Sequence, residues 1–189
     1  MDKLSLLLAH LLTLSVVVAS VGNGGNPDGF SVNRGPAKLQ FYWHDRHLGE
    51  NATAVTVAQS PTTNISKTLF GIVKVFDDPL TILPNETSDL IGRAQGMYFS
   101  ADQNVVALQM VMTLVFHEPK YLGSTLIVMG RNPPADLVRV LAIVGGTGIF
   151  HSVSGYARIS TVLDDPSTGY FIVEYNCTIT YPKGWYSSF

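Results

Sequence analysis

Two side chains in this sequence have the type and the neighbours to move a proton at an apolar surface. Asp45 ends the run Leu39-Gln-Phe-Tyr-Trp-His-Asp45, and Tyr98 lies near the end of the run Ile91 to Ser100. On a strand, successive side chains point to opposite faces, so Leu39, Phe41, Trp43 and Asp45 share one face and Gln40, Tyr42 and His44 the other. A carboxyl that closes an aromatic row has two readings. Either it leaves the sheet in the turn Arg46-His47-Leu48-Gly49, where Asp commonly bonds the backbone, or it stands in a dry pocket with a raised pKa. In Ile91 to Ser100 one face reads Gly92, Ala94, Gly96, Tyr98, Ser100, which leaves room beside the wall and projects one phenol into it. Small residues there serve either a ligand's approach or the curl of the sheet.

Other chemistries find little support. His44, His47, His117 and His151 invite a metal reading, but His44 and His47 are three apart and point to opposite faces of a strand, and no Cys/His/Asp cluster has recognisable ligand spacing, so no metal site is expected. Val144-Gly-Gly-Thr-Gly-Ile-Phe150 lacks the lysine of a phosphate loop, and His151 stands where a dinucleotide fingerprint needs glycine; the run reads as a turn. There is no G-x-S-x-G elbow for a serine nucleophile. Cys177 is the single cysteine, so no intrachain disulfide can form and a buried, inert thiol is expected.

The elements that must hold Asp45 and Tyr98 are short. With 46% hydrophobic and 14% charged residues and a net charge of -2, the chain reads as one weakly acidic globule without the basic face a nucleic-acid partner needs. Runs rich in Val, Ile, Thr, Phe and Tyr recur between Gly, Pro, Asn and Asp clusters, the signature of an all-β domain. The candidate strands are 38–45, 54–58, 69–76, 91–100, 105–117, 124–129, 137–144, 155–163 and 170–181, eight or nine after merging. Without crossover helices they predict a closed antiparallel barrel or a sandwich. In 105–116 neither face is built for water, which predicts cover on both sides, as in a barrel wall with a lined cavity within and a second subunit without, or in a sandwich-core strand. The 170–181 run shows ordinary half-buried alternation.

Ahead of the domain, Leu4 to Val18 is almost wholly apolar, short for a membrane span and followed by Ala19-Ser20. Residues 1–20 read as a secretory signal peptide, 21–37 as a flexible Gly/Asn/Pro/Ser arm and 38–189 as the domain; no membrane association is expected once the signal is cleaved. Four N-x-S/T sequons, at Asn51, Asn64, Asn85 and Asn176, agree with secretion. The first three fall in turn-rich segments and the fourth in a strand.

Five blocks carry a resemblance: Phe41-Tyr-Trp-His-Asp45, Asp77-Asp-Pro-Leu-Thr81, Leu90-Ile-Gly-Arg-Ala-Gln-Gly-Met-Tyr98, Leu122-Gly-Ser-Thr-Leu126 and Val144-Gly-Gly-Thr-Gly-Ile-Phe150. In this order and spacing the chain resembles a plant dirigent protein across the whole domain. The resemblance implies an eight-stranded antiparallel β-barrel with an open apolar cavity, a homotrimer, and an extracellular place in the apoplast or cell wall. It also implies a small phenolic substrate, and no cofactor or oxidising centre. An external laccase or peroxidase would make phenoxy radicals, and the barrel would orient two phenylpropanoid radicals so that lignan-type coupling favours one enantiomer. By the same resemblance Asp45 and Tyr98 are the catalytic candidates, and Phe41, Trp43, Ile149 and Ser100 line the substrate site.

Three positions depart from the lignan-forming pattern. Ile149 stands where many such members have Asp, Ser154 where they have Arg, and Ser100 where they have a second tyrosine. The Asp-Asp-Pro-Leu-Thr and Ser100-Ala-Asp-Gln103 segments are similar to the subgroup that includes pterocarpan synthases. That subgroup implies the alternative activity, a cofactor-free dehydration and cyclisation of an isoflavanol through a quinone methide. With Asp45 as the one carboxyl in the expected site, a single proton-transfer role is the easier to fill.

Overall fold

The computed structural model describes residues 36–182. Nine strands follow in order: β1 Ala37–Arg46, β2 Ala54–Ala58, β3 Val73–Thr81, β4 Leu90–Ser100, β5 Leu108–Phe116, β6 Thr125–Asn132, β7 Arg139–Thr147, β8 Ser154–Asp165 and β9 Tyr170–Thr180. All pairings are antiparallel, in the order β1-β9-β8-β7-β6-β5-β4-β3-β2, and a β1–β3 pairing closes eight of the strands into a barrel. The only helical pieces among the described residues are two three-residue 3-10 turns. The fold is therefore all-β, a closed eight-stranded antiparallel barrel. The expected signal peptide lies outside the described residues, as does all but the end of the expected arm.

The closure is uneven. β1 pairs with β9 along ten positions, from Ala37↔Ile179 to Arg46↔Tyr170. It meets β3 only at Tyr42↔Thr81 and Trp43↔Leu80. Along the first half of β3, β2 takes over, from Ala54↔Phe76 to Ala58↔Val73. Asp77, Asp78 and Pro79 sit at this fork. Proline has no N–H to offer a ladder, so a strand edge passing from one partner to another is a place that tolerates it.

Alternating inward side chains fill the barrel. Phe41, Trp43, Phe76, Leu80, Met110, Met112, Leu114, Leu126, Leu141, Ile143, Tyr175 and Ile179 are all buried in one cluster. Two glycines allow the wall to bend. A Cβ on Gly92 would lie 2.2 Å from the Val115 carbonyl oxygen, and one on Gly96 2.2 Å from that of Val111. The small residues at these positions thus serve the close approach of β4 to β5.

Most strand ends shift by a few residues from the sequence reading, and three of these shifts change how a segment is understood. The third strand was expected at 69–76 but runs from Val73 to Thr81, through Asp77-Asp-Pro. The fifth begins at Leu108, leaving Val105 and Val106 exposed ahead of it. Gly145 and Gly146 belong to β7 and only Gly148, at φ 61°, makes the turn. A side chain at Gly146 would strike the Thr125 carbonyl oxygen and Phe150, so that glycine answers a close contact.

Candidate functional site

β1 carries the row that the alternation predicts. Phe41, Trp43 and Asp45 are buried, with Leu39 half-buried at its start, while Gln40 is exposed and Tyr42 half-buried. Asp45 does not leave the sheet: it pairs with Phe171 inside the β1–β9 ladder and is 6% exposed. Across the barrel, the Tyr98 hydroxyl of β4 donates to Asp45 Oδ2 at 3.1 Å. The two expected catalytic residues therefore meet. Around them Trp43 packs on Phe76 at 5.6 Å between ring centroids and Phe76 stacks on Tyr98 at 5.6 Å.

A second acid stands with them. Asp78 of β3 is fully buried, its inward parity shared with Phe76 and Leu80. The expectation of a single carboxyl is thus corrected: the site has two. Neither oxygen of Asp78 has a hydrogen-bond partner among the described residues, and the same holds for Asp45 Oδ1 and Trp43 Nε1. Thr53 and Trp43 lie near enough to favour the Asp78 carboxylate slightly, without the geometry of a full hydrogen bond. Buried polar atoms in native folds are nearly always satisfied, so four such atoms in one place make this the candidate site.

Burial dominates the electrostatics. It pushes the Asp45 carboxyl up to about 6, against the hydrogen bond from Tyr98 and the charge of Lys74, which favour the carboxylate. Asp78 is pushed up to about 8, first by burial and then by negative charge on Asp45. The Tyr98 phenol is raised far above its usual range by burial and by both acids, so it acts as a neutral donor. Both carboxyls therefore hold their protons to higher pH than an exposed aspartate does, and Asp78, which also meets the charge of Asp45, is raised the further of the two. Two acids split in this way can take a proton at one atom and give one at another.

The remaining expected residues are placed differently. Ser100 is buried, but its hydroxyl donates to the Thr68 carbonyl oxygen at 2.7 Å and ties down the 59–72 connection. Ile149 is half-buried in the turn after β7. Since β7 runs antiparallel to β1 in the barrel order, its C-terminal end lies at the end of the barrel where β1 begins. Asp45 is at the end where β1 finishes, so Ile149 and the acid pair are at opposite ends. Phe41 lies between them, 5.3 Å from Tyr175 and 6.4 Å from Phe116. Asn51, Asn64, Asn85 and Asn176 are all exposed, Asn176 on the outer face of β9.

His44, next to Asp45 but on the outer face, is also buried. The Thr81 hydroxyl donates to the Leu83 carbonyl oxygen at 2.6 Å, so it accepts from His44 Nε2 at 2.7 Å, and Nδ1 accepts from the Tyr170 hydroxyl at 2.6 Å. This neutral tautomer agrees with a pKa lowered by burial and by Arg46, which together outweigh Glu86. His44 pins the end of β1 without touching the acids. Among the described residues no group of three or more His, Cys, Asp or Glu is arranged to hold a metal.

Asp78 could have been found from parity alone. Extending the third strand through Asp77-Asp-Pro puts it on the face of Phe76, but the Asp/Pro composition reads as a turn. Lys74, on the same face, had no local signal at all.

A closed antiparallel barrel with paired acids and a phenol buried against its aromatic wall defines the class of this protein. The chain belongs to the dirigent family: residues 37–180 match the family model described as dirigent-like protein. It is 44% identical to Dirigent protein 21 of Arabidopsis thaliana over 93% of this chain and 92% of that one. It is 40% identical to Pterocarpan synthase 1 of Glycyrrhiza echinata over 92% and 93%. Among solved structures it resembles the pterocarpan synthase dirigent protein PsPTS1, with a TM-score of 0.72 and 42% identity over 79% of this chain and 97% of that chain.

Proposed function

We propose that this protein is a cofactor-free dehydratase and cyclase that acts on a phenolic benzylic alcohol of the isoflavanol type. The observation that carries the reading is the buried pair Asp45 and Asp78, three of whose four carboxyl oxygens have no partner among the described residues, beside the Tyr98 phenol that donates to the fourth. The Asp45 carboxylate takes the proton of the substrate's phenol. Electrons move through the ring, the benzylic C–O bond breaks, and the hydroxyl leaves as water with the proton of Asp78. A neutral quinone methide remains, with Asp45 protonated and Asp78 ionised. A second phenolic hydroxyl of the substrate then adds to the benzylic carbon and gives its proton to Asp78. Asp45 returns its proton to the quinone-methide oxygen, so both acids end as they began. Tyr98 holds Asp45 in place and donates within the site.

One observation favours a second reading, a stereochemical guide for phenoxy-radical coupling with oxidation supplied by a laccase or peroxidase. Phe41, Trp43, Phe76 and Tyr175 make a continuous aromatic wall, and an aromatic wall with few polar groups is enough to favour one face of a radical. A preference of about 1.4 kcal/mol gives a tenfold product ratio. Incubating the purified protein with an isoflavanol and no oxidant, and separately with coniferyl alcohol and laccase, distinguishes the two by chiral chromatography. Loss of water without oxidant supports the dehydratase. Enantiomeric excess only with laccase overturns it in favour of the guide.

The same reading includes secretion to the plant apoplast or cell wall after cleavage of residues 1–20, with glycans on the exposed sequons. It also includes a homotrimer. Met97, Met129, Val140 and Val144 are exposed apolar residues on strands β4, β6 and β7, an outer surface suited to self-association. Light scattering after size exclusion tests the trimer, and a mobility shift on glycosidase treatment tests the glycans.

A further inference from the structure

Among the described lysines, Lys38, Lys67 and Lys120 are exposed and Lys74 is not. Lys74 lies on β3 two residues before Phe76 and four before Asp78, on the face turned into the barrel, and it pairs with Tyr98 across β3–β4. The ion pairs among the described residues, Arg46–Glu86, Arg93–Asp77 and Arg131–Asp102, all have exposed or half-exposed side chains. None includes Lys74. Its ammonium senses Asp45 and opposes its loss of solvent with that one attraction, yet no carboxylate stands within ion-pair distance. A half-buried cation that completes no ion pair, beside two acids three of whose four oxygens lack partners, is an arrangement completed by an anion from outside the chain.

We propose that Lys74 is the oxyanion-holding group of the site, its ammonium receiving the phenolic oxygen of the bound substrate as that oxygen becomes negative. The inference rests on the acid–base reading above and adds a residue to it. When the phenol proton passes to Asp45, the anion left on the substrate meets the half-buried Lys74 ammonium. The phenolate's electrons then expel the benzylic hydroxyl, which departs as water with the proton of Asp78. Every proton and electron pair is accounted for within Asp45, Asp78 and the substrate; Lys74 keeps its protons throughout. A fixed cation where charge develops stabilises that charge most when water is excluded. Interior lysine at this place also selects for ligands with an acidic hydroxyl over their methyl ethers.

The groups that face Lys74 are Asp45 from β1, Asp78 from its own strand, Tyr98 from β4 and His47 just beyond β1, whose pKa is lowered by burial and then by Lys74 itself. The probe is 4-nitrophenol, whose phenolate absorbs at longer wavelength than the phenol. Absorbance titration of the bound probe gives its ionisation pH in wild type, Lys74→Met and Lys74→Arg, each checked for a cooperative melt, and again in the Asp45→Asn background to remove the neighbouring carboxylate. The expected result is that Lys74→Met raises the ionisation pH of the bound probe, lowering the preference for phenolate over phenol about tenfold, and that Lys74→Arg largely restores it. An ionisation pH unchanged in Lys74→Met, with the probe bound, overturns the role of Lys74 and leaves phenol binding standing. A wild-type protein that binds no 4-nitrophenol overturns both the role and the phenolic reading on which it rests.

Discussion

The two ends of the barrel interior are built on opposite terms. Where β1 begins, Phe41, Phe116, Tyr121 and Phe150 form an aromatic plug, with ring centroids 5.5 to 6.4 Å apart. Where β1 finishes, Trp43, Asp45, Asp78 and Tyr98 are just as buried, but polar atoms there lack partners. The first arrangement gains stability from every contact. The second gives stability up, because a carboxyl held above its usual pKa resists ionisation in the fold. The contrast teaches where a chain without disulfides finds its stability and where it uses it.

Four measurements break or sharpen this contrast. The largest effect belongs to Asp45→Asn, which keeps the shape and removes the base: dehydration should fall about 100-fold or more with no loss of thermal stability, read by single-turnover kinetics and calorimetry. If turnover survives, the acid end is merely a strained core. At the other end, Phe116→Ala should cost about 3 to 5 kcal/mol in denaturant melts while the folded protein keeps the ligand affinity of the wild type. A fall in affinity matching the fall in stability would show that the ends are not separable.

Third comes the stability of Asp78→Asn against pH. A carboxyl raised to about 8 binds its proton more tightly folded than unfolded. Its stabilising contribution is complete below the unfolded value near 3.8 and is lost as pH rises towards 8. The variant should therefore melt later than wild type at pH 8, by an amount on the order of a few kcal/mol, and the gap should close as pH falls to 4. A gap independent of pH would mean that Asp78 is not the titrating group. The smallest effect is that of Tyr98→Phe. It removes a hydrogen bond that favours the Asp45 carboxylate, so the acid limb of the activity profile, set near pH 6, should move to higher pH. A limb that stays in place would detach Tyr98 from Asp45.

The same contrast separates what could be read in the sequence from what could not. The period-2 row Leu39, Phe41, Trp43, Asp45 and the small-residue face ending in Tyr98 are local patterns, and the barrel brings their polar ends together. All nine candidate strands form, because β-branched and aromatic runs between turn residues are legible one segment at a time. What depended on two strands at once was hidden. Asp78 was lost because Asp77-Asp-Pro79 has turn chemistry, and only the fork between β1 and β2 explains why it continues a strand. Gly92 and Gly96 read as room for a ligand or for the curl of the sheet and Gly146 as part of a turn, and all three prove to be clearances for a neighbouring backbone. Ile149 was grouped with the acid by analogy, and the antiparallel order puts the length of the barrel between them.

The fork in the ladder has a further consequence, for how the polypeptide is made. β1 leaves the ribosome first among the strands, yet its ten-position partner β9 is the last, and its contact with β3 spans only two positions. A nascent chain can pair β2 through β8 in sequence while β1, with its row of aromatic residues, waits almost unpartnered. Long-range closure of this kind slows folding and prolongs the exposure of sticky surface. Translation must reach Thr180 before the first strand has somewhere to go.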